Sequence, residues 1–199
     1  MTDDNAPPDI DWSQYFVLPP QEVTLPDIDP KGGWILDVGG GGEGIIGLLK
    51  GQEVVAIDMR KDELEETTND ALKVVMDARE LKFIDESFTV ATVYFTFMYM
   101  PEDDFEAIFK EIWRVLKPGG ELFIWDAIFE VPPEEREKKR FVVILKTLFP
   151  DGSENQTGYG GIVRDPQPDM FLRPAQKVGF KILDQKVDDF QFYVRLGKP

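Results

Sequence analysis

The stretch WILDVGGGGEG, residues 34–44, decides the reading of this chain. Trp34, Ile35 and Leu36 form an apolar run of the kind a buried parallel strand requires, because such a strand is covered on both faces. The run ends in Asp37, and five of the next seven residues are glycine. Ile45, Ile46, Leu48 and Leu49 then read as the apolar face of a helix. Strand, glycine turn and helix together make a cofactor site. Glycine tolerates positive φ and lets backbone approach a ligand closely, and the first turn of a helix presents unpaired N–H groups.

Working outward, strand and helix patterns alternate. Strands are expected at 34–38, 53–57, 73–76, 89–95 and 121–125, and helices at 43–50, 61–67 and 102–116. In the last helix Phe105, Ile108, Phe109, Ile112, Trp113 and Leu116 recur at helical spacing and predict a core face. Lys117-Pro118-Gly119-Gly120 stops it. This alternation argues for an α/β fold, a parallel sheet covered on both faces. It breaks after residue 127. Residues 128–165 read as a short helix or loop plus an inserted hairpin, with Asp151-Gly152 and Gly158–Gly161 as turn signals. A helix at 167–178 and two strands at 180–186 and 190–196, joined by a turn at Asp188-Asp189, complete the chain. Upstream, residues 1–32 hold six prolines and the aromatics Trp12, Tyr15 and Phe16. They read as an irregular arm whose aromatics dock on the body or, alternatively, close over the cleft as a lid. The expected organisation is one domain over 1–199: arm 1–32, cofactor-binding core 33–127, insertion 128–165, and C-terminal helix and strand pair 166–199.

Composition narrows the chemistry. The 199 residues contain no cysteine and no histidine. That removes disulfides, thiolate nucleophiles, imidazole bases and Cys/His zinc sites. A metal would need oxygen ligands, and proton transfer falls to Asp, Glu, Tyr, Lys or water. The formal charge of −16 repels phosphate backbones and anionic lipid, so no nucleic-acid partner is expected. The basic run at 136–140 is interleaved with glutamates and reads as a solvated helix start. No apolar run approaches the ~18 residues that span a bilayer. The acidic, proline-rich start lacks the pattern of a signal peptide, so a cytoplasmic protein, monomeric or homodimeric, is expected.

Four acidic residues, Asp37, Asp58, Asp77 and Asp126, end strand-like runs. Ligands of open α/β sheets bind outside the carboxyl ends of the strands, so these carboxylates are expected on one rim. Such a rim suits a cofactor with hydroxyls and positive charge and suits polyphosphate poorly. Gly39-x-Gly41-x-x-Gly44 with Asp58 also fits the dinucleotide fingerprint, but the chain is short for a second mononucleotide half plus a catalytic domain.

Four segments, in order across 34–126, resemble the motifs of class I S-adenosylmethionine-dependent methyltransferases: ILDVGGGGEG (35–44), AIDMR (56–60), VVMDAREL (74–81) and RVLKPGGELFIWD (114–126). The resemblance implies a three-layer Rossmann-like sandwich. Its sheet would be seven-stranded and mostly parallel, with one antiparallel strand; the hairpin read at 128–165, after the fifth strand, and the N-terminal arm have no match in the resemblance. The cofactor implied is S-adenosyl-L-methionine. Asp37 and the turn Gly39, Gly40 and Gly41 would hold its methionine end. Asp58 would take both ribose hydroxyls, Met59 would lie against the adenine, Asp77 would accept from the adenine amine, and the Ala78 N–H would donate to the ring. The reaction implied is methyl transfer to a small-molecule acceptor by in-line displacement; the alternative is a cofactor-binding protein without transferase activity. One departure stands out: Glu43 occupies a position where the family often has glycine. A carboxylate there is unfavourable beside the cofactor's own, so Glu43 should point away.

On the acceptor side, Tyr99 is the residue expected to face the reaction, and Asp126 to serve as a base or to orient the acceptor. Tyr159 is expected to close the pocket from the insertion. The competing readings are that 95–100 is core, that Asp77 caps a helix, and that Asp126 is a plain strand-end residue.

Overall fold

The computed structural model describes residues 12–163, 166–188 and 190–199. In chain order the strands are β1 (Tyr15–Val17), β2 (Gln21–Thr24), β3 (Ile35–Val38), β4 (Val54–Asp58), β5 (Leu72–Val75), β6 (Phe88–Tyr94), β7 (Leu116–Ala127), β8 (Arg140–Leu148), β9 (Glu154–Ile162), β10 (Lys181–Val187) and β11 (Gln191–Gly197). The helices are α1 (Ile45–Lys50), α2 (Lys61–Glu66), α3 (Phe105–Val115) and α4 (Pro168–Val178).

The central sheet runs β10-β11-β7-β6-β3-β4-β5. β11 lies antiparallel to both of its neighbours, and the other pairings are parallel. The mixed α/β class is therefore the one the alternation implies. Its strands read as continuous apolar runs because both faces are covered. Leu36 and Val38 of β3 face one core with Phe105, Ile108, Phe109 and Ile112 of α3 and Phe171 of α4. Ile35 faces the other, with Ile45 and Ile46 of α1, Leu64 of α2, and Phe141, Val143 and Leu145 of β8. Chain order reverses between β3 and β6, where β3 pairs β4 on one side and β6 on the other. Such a switch point opens a crevice at the carboxyl ends of the strands.

A second sheet packs on the α1 side. β8 pairs antiparallel with β9 and parallel with both β1 and β2. The expected insertion hairpin is present, but three expectations are corrected. The described part of the arm, from residue 12, is not irregular throughout: it carries two short strands. β1 takes the start of β8 and β2 its end, and the ladder is interrupted where Pro19 and Pro20 lack the N–H it needs. The run at 136–140 starts no helix: a 3₁₀ turn over Pro133–Glu135 closes with Lys138 N–H on the Glu135 carbonyl, and Arg140 already belongs to β8. Gly158–Gly161 is not a turn but lies within β9. A Cβ on Gly161 would sit 2.4 Å from the Phe141 ring, so glycine there permits close approach of two strands. The hairpin turns instead at Asp151-Gly152, where the Phe149 and Ser153 backbones pair. The turn expected at Asp188-Asp189 includes residue 189, outside the described residues. Phe16 of the arm packs on Phe129 at 5.6 Å.

Candidate active-site cleft

A cleft of about 980 Å³ opens at the switch point. Its walls come from the glycine turn after β3, the ends of β4 and β5, the segment after β6, and Gly158 and Tyr159 of β9. Asp37, Asp58 and Asp77 all line it. Three of the four strand-end carboxylates are thus brought together, because their strands are parallel and end on one rim. No described residue of the arm lines the cleft.

Asp37 is buried, with 2% exposure. The β3–β6 register sets it opposite Thr92, whose Oγ1–H donates to Asp37 Oδ1 at 2.8 Å. Burial pushes its carboxyl up to about 7; the Thr92 bond opposes this and the nearby Asp58 charge adds to it. The glycine turn folds directly over these carboxylates. A Cβ on Gly40 would lie 2.6 Å from Asp37 Oδ2, and one on Gly41 2.9 Å from Asp58 Oδ2. Gly39 needs its φ of 77° and would strike Thr96 if substituted. The Gly39 and Gly40 N–H groups both donate to the Ile57 carbonyl, which fastens the turn to β4. Backbone close to carboxylates, with no side chain between, is a cradle that a cofactor with an ammonium and ribose hydroxyls fits.

Asp58 accepts from the Arg60 N–H at 2.9 Å through Oδ1. Met59 is 60% exposed and lines the cleft beside it. Asp77 caps no helix. Its carboxylate is held by the Arg79 guanidinium, at 3.0 Å and 2.7 Å, and by the Arg79 N–H, and the Arg79 bonds keep it below the usual carboxylate range. Arg79 also reaches Asp104 at 3.2 Å. Sequence reasoning missed this guanidinium; its signal was the Asp77-Ala78-Arg79 spacing. Ala78 is buried and lines the cleft. The loop that carries it is tied down by Arg114 of α3, which donates to the Leu81 and Phe83 carbonyls at 2.9 Å and 2.8 Å.

The other end of the cleft is aromatic: Tyr94, Phe95, Tyr99 and Tyr159. Phe95 holds a φ of 48°, a strained conformation for a bulky residue, and its ring lies 5.0 Å from Tyr94 and 6.0 Å from Tyr159. Tyr99 is 47% exposed. Burial pushes its hydroxyl up to about 12, and the Gly160 backbone opposes the shift. Burial and then the Glu43 charge raise Tyr159 further, so both phenols are hydrogen-bond donors at neutral pH, not bases. Glu43 reaches from the glycine turn to β9, where it accepts from the Thr157 hydroxyl beside Tyr159.

Asp126 departs from expectation. It is 1% exposed and not among the cleft-lining residues. Its carboxylate accepts from the Met98 N–H at 3.2 Å and the Ala127 N–H at 2.8 Å. It anchors the turn Phe97–Tyr99, which carries the cleft-lining Tyr99. Among the described residues no group of three or more acidic side chains is placed to hold a metal ion, and no helix is long and apolar enough to cross a membrane.

Residues 36–124 match the family model described as a methyltransferase domain. Over this stretch the chain is similar to methyltransferase domains. The cofactor of such domains is S-adenosylmethionine. The sterol methyltransferase-like protein 1 of Botryococcus braunii is 30% identical over 110 residues, which cover 55% of this chain and 25% of that protein. A phosphatidylethanolamine N-methyltransferase of Cereibacter sphaeroides is 31% identical over 115 residues, 53% of this chain and 56% of that one. The chain thus spans between a quarter and about half the length of these curated relatives. Among solved structures, an S-adenosylmethionine-dependent methyltransferase from Methanosarcina mazei superposes with a TM-score of 0.61 at 21% identity, covering 82% of this chain and 91% of that one. That likeness establishes the methyltransferase-type fold alone.

Proposed function

We propose that this chain transfers the methyl group of S-adenosylmethionine to a small-molecule acceptor by in-line displacement. The observation that carries this reading is the placement of Asp37, Asp58 and Asp77 around the side-chain-free turn Gly39–Gly41, in the cleft whose far wall is aromatic. When bound, the cofactor supplies an electrophilic methyl group on a sulfonium.

The roles follow from position. Asp37 and the Gly39–Gly41 backbone hold the methionine end, with Thr92 fixing the Asp37 carboxylate. Asp58 accepts from the ribose hydroxyls, and Met59 and Ala78 flank the adenine, the latter with its N–H. Asp77 orients the adenine amine from within its Arg79 pair. Tyr99 and Tyr159 wall the acceptor side, donate hydrogen bonds and exclude water. Because methyl transfer to a nucleophilic acceptor needs alignment more than acid–base work, the absence of histidine is no obstacle.

The acceptor is small. A cleft of 980 Å³ lies at the upper end of the ~300–1,000 Å³ typical of small-molecule sites, enough for the cofactor and a second small molecule. Seven carboxylates and two guanidinium groups line it, and both Arg60 and Arg79 are paired to carboxylates. That field disfavours acceptors bearing free phosphate or carboxylate. The sterol in one relative's name is in keeping with an uncharged small organic acceptor.

Titration calorimetry with S-adenosylhomocysteine tests the proposal. Binding is expected, and Asp58→Ala should weaken it about 10–100-fold, the equivalent of a charge-assisted hydrogen bond of ~1.5–3 kcal/mol. Absent binding, or an unchanged affinity in Asp58→Ala, would overturn it.

A further inference from the structure

Glu43 interrupts an otherwise all-glycine turn, and the methyl-transfer reading gives it no task. Its surroundings do. It stands between Gly42 and Gly44, whose φ values of 61° and 58° lie in the left-handed region. These two residues fix the path of the turn and leave its one long side chain directed at β9. There the Glu43 carboxylate accepts from the Thr157 hydroxyl, across 114 residues of sequence, and its charge acts on the neighbouring Tyr159. Other contacts of β9 around the cleft reach the segment after β6: the Phe95 ring against Tyr159, Tyr99 against the Gly160 backbone, and Met98 against Gly161. Glu43 joins the glycine turn to the hairpin.

We infer that Glu43 is a positioning residue that couples occupancy of the glycine turn to the order of the acceptor wall, through its bond to Thr157 and its place beside Tyr159. The inference rests on the cofactor reading above. A ligand held against Gly39–Gly41 immobilises backbone two residues before Glu43. The carboxylate is then fixed, and with it Thr157 and the Tyr159 ring. Ordering that the first ligand has imposed is not imposed again by the second, so the two sites couple favourably without a large displacement. The same link explains why a carboxylate is tolerated beside a negatively charged ligand end: the Thr157 hydroxyl draws it to the other wall.

The test is hydrogen exchange of the full chain, followed by mass spectrometry, with and without S-adenosylhomocysteine. In the unsubstituted chain the ligand is expected to slow exchange both in the turn (residues 38–50) and in β9 (154–162), the latter by about tenfold, within the ~5–150-fold range of site-to-site coupling. Glu43→Ala should keep the slowing in the turn and lose it in β9. The paired change Thr157→Val with Tyr159→Phe, which removes the hydroxyls beside Glu43 from the other side, should do likewise, and unchanged exchange in β3 and β6 shows that each variant is folded. Slowing in the turn without slowing in β9, or slowing in β9 that survives either set of substitutions, would overturn the coupling alone. No slowing in the turn would overturn the cofactor reading and the coupling with it.

Discussion

Asp37 carries a consequence for pH that can be measured directly. With 2% exposure and a carboxyl raised to about 7 by burial, it is mostly protonated in the unliganded chain at pH 5.5. Holding the ammonium of S-adenosylhomocysteine requires the ionised form. With a pKa near 7 the ionised fraction is about 3% at pH 5.5 and about 90% at pH 8, so affinity should fall about 30-fold between them, or about 2 kcal/mol. The slope should approach tenfold per pH unit below 6.5 and flatten above 7.5. Binding at pH 6 should release close to one proton, visible as a dependence of the calorimetric enthalpy on the ionisation enthalpy of the buffer. Asp37→Asn should remove both the slope and the proton release and bind weakly throughout. An affinity level from pH 5.5 to 8, or the same slope in Asp37→Asn, would refute the assignment.

The same group affects folding, in a direction set by linkage. The folded pKa exceeds the ordinary value near 4, so the folded chain binds more protons than the unfolded chain between about pH 4 and 7. The contribution of Asp37 to stability is therefore greatest below pH 4, falls as pH rises through that window, and is gone above 7. The full change is about 4 kcal/mol, set by a carboxyl near 4 in the unfolded chain and about 7 in the folded one. The unliganded Asp37→Asn variant should accordingly be more stable than the parent at pH 8, by a margin that shrinks toward pH 4 in urea melts. Stability given up for a charged ligand site is a familiar exchange in binding clefts.

Three further outcomes follow from individual contacts. Gly40→Ala places a Cβ 2.6 Å from Asp37 Oδ2 and 2.8 Å from the Ala56 Cβ; it should cost about 1–3 kcal/mol, lower Tm by several degrees, and weaken S-adenosylhomocysteine in calorimetry. Arg114→Ala frees the Leu81 and Phe83 carbonyls and should cost about 2–3 kcal/mol in chemical denaturation; Arg114→Lys should recover little, since an ammonium does not span both carbonyls and Glu111 as the planar fork does. Tyr94→Phe removes the partner of the buried Thr147 hydroxyl, 2.5 Å away, and should cost about 1–2 kcal/mol in the same assay, a loss that Thr147→Val in the same chain should partly restore.

What the sequence made legible was local. The apolar runs of β3, β4 and β6 and the helical spacing of α3 each declare themselves within a dozen residues, and the alternation of these elements then implies the parallel sheet. Parallel strands ending on one rim in turn bring Asp37, Asp58 and Asp77 to one cleft without further information. The misreadings share a physical cause: each was decided by a partner far away in the chain. β1 and β2 are three and four residues long and exist because β8 lies beside them. Gly160 and Gly161 signal a turn or a close approach equally well, and only the Phe141 ring selects the second. Asp126 reaches the end of a strand as Asp37 does, but the amide of Met98 claims its carboxylate. Glu43 is the extreme of this series. Read locally it is an anomaly, an anion in a turn that should hold an anionic ligand end. Read with Thr157 and Tyr159 it is the point where the cofactor turn and the inserted hairpin meet. Departures from a locally consistent pattern concentrate where distant elements impose a requirement of their own. In this chain the requirement at Glu43 comes from the hairpin that walls the cleft, so the residue that fits the motif least is the one that ties its two halves together.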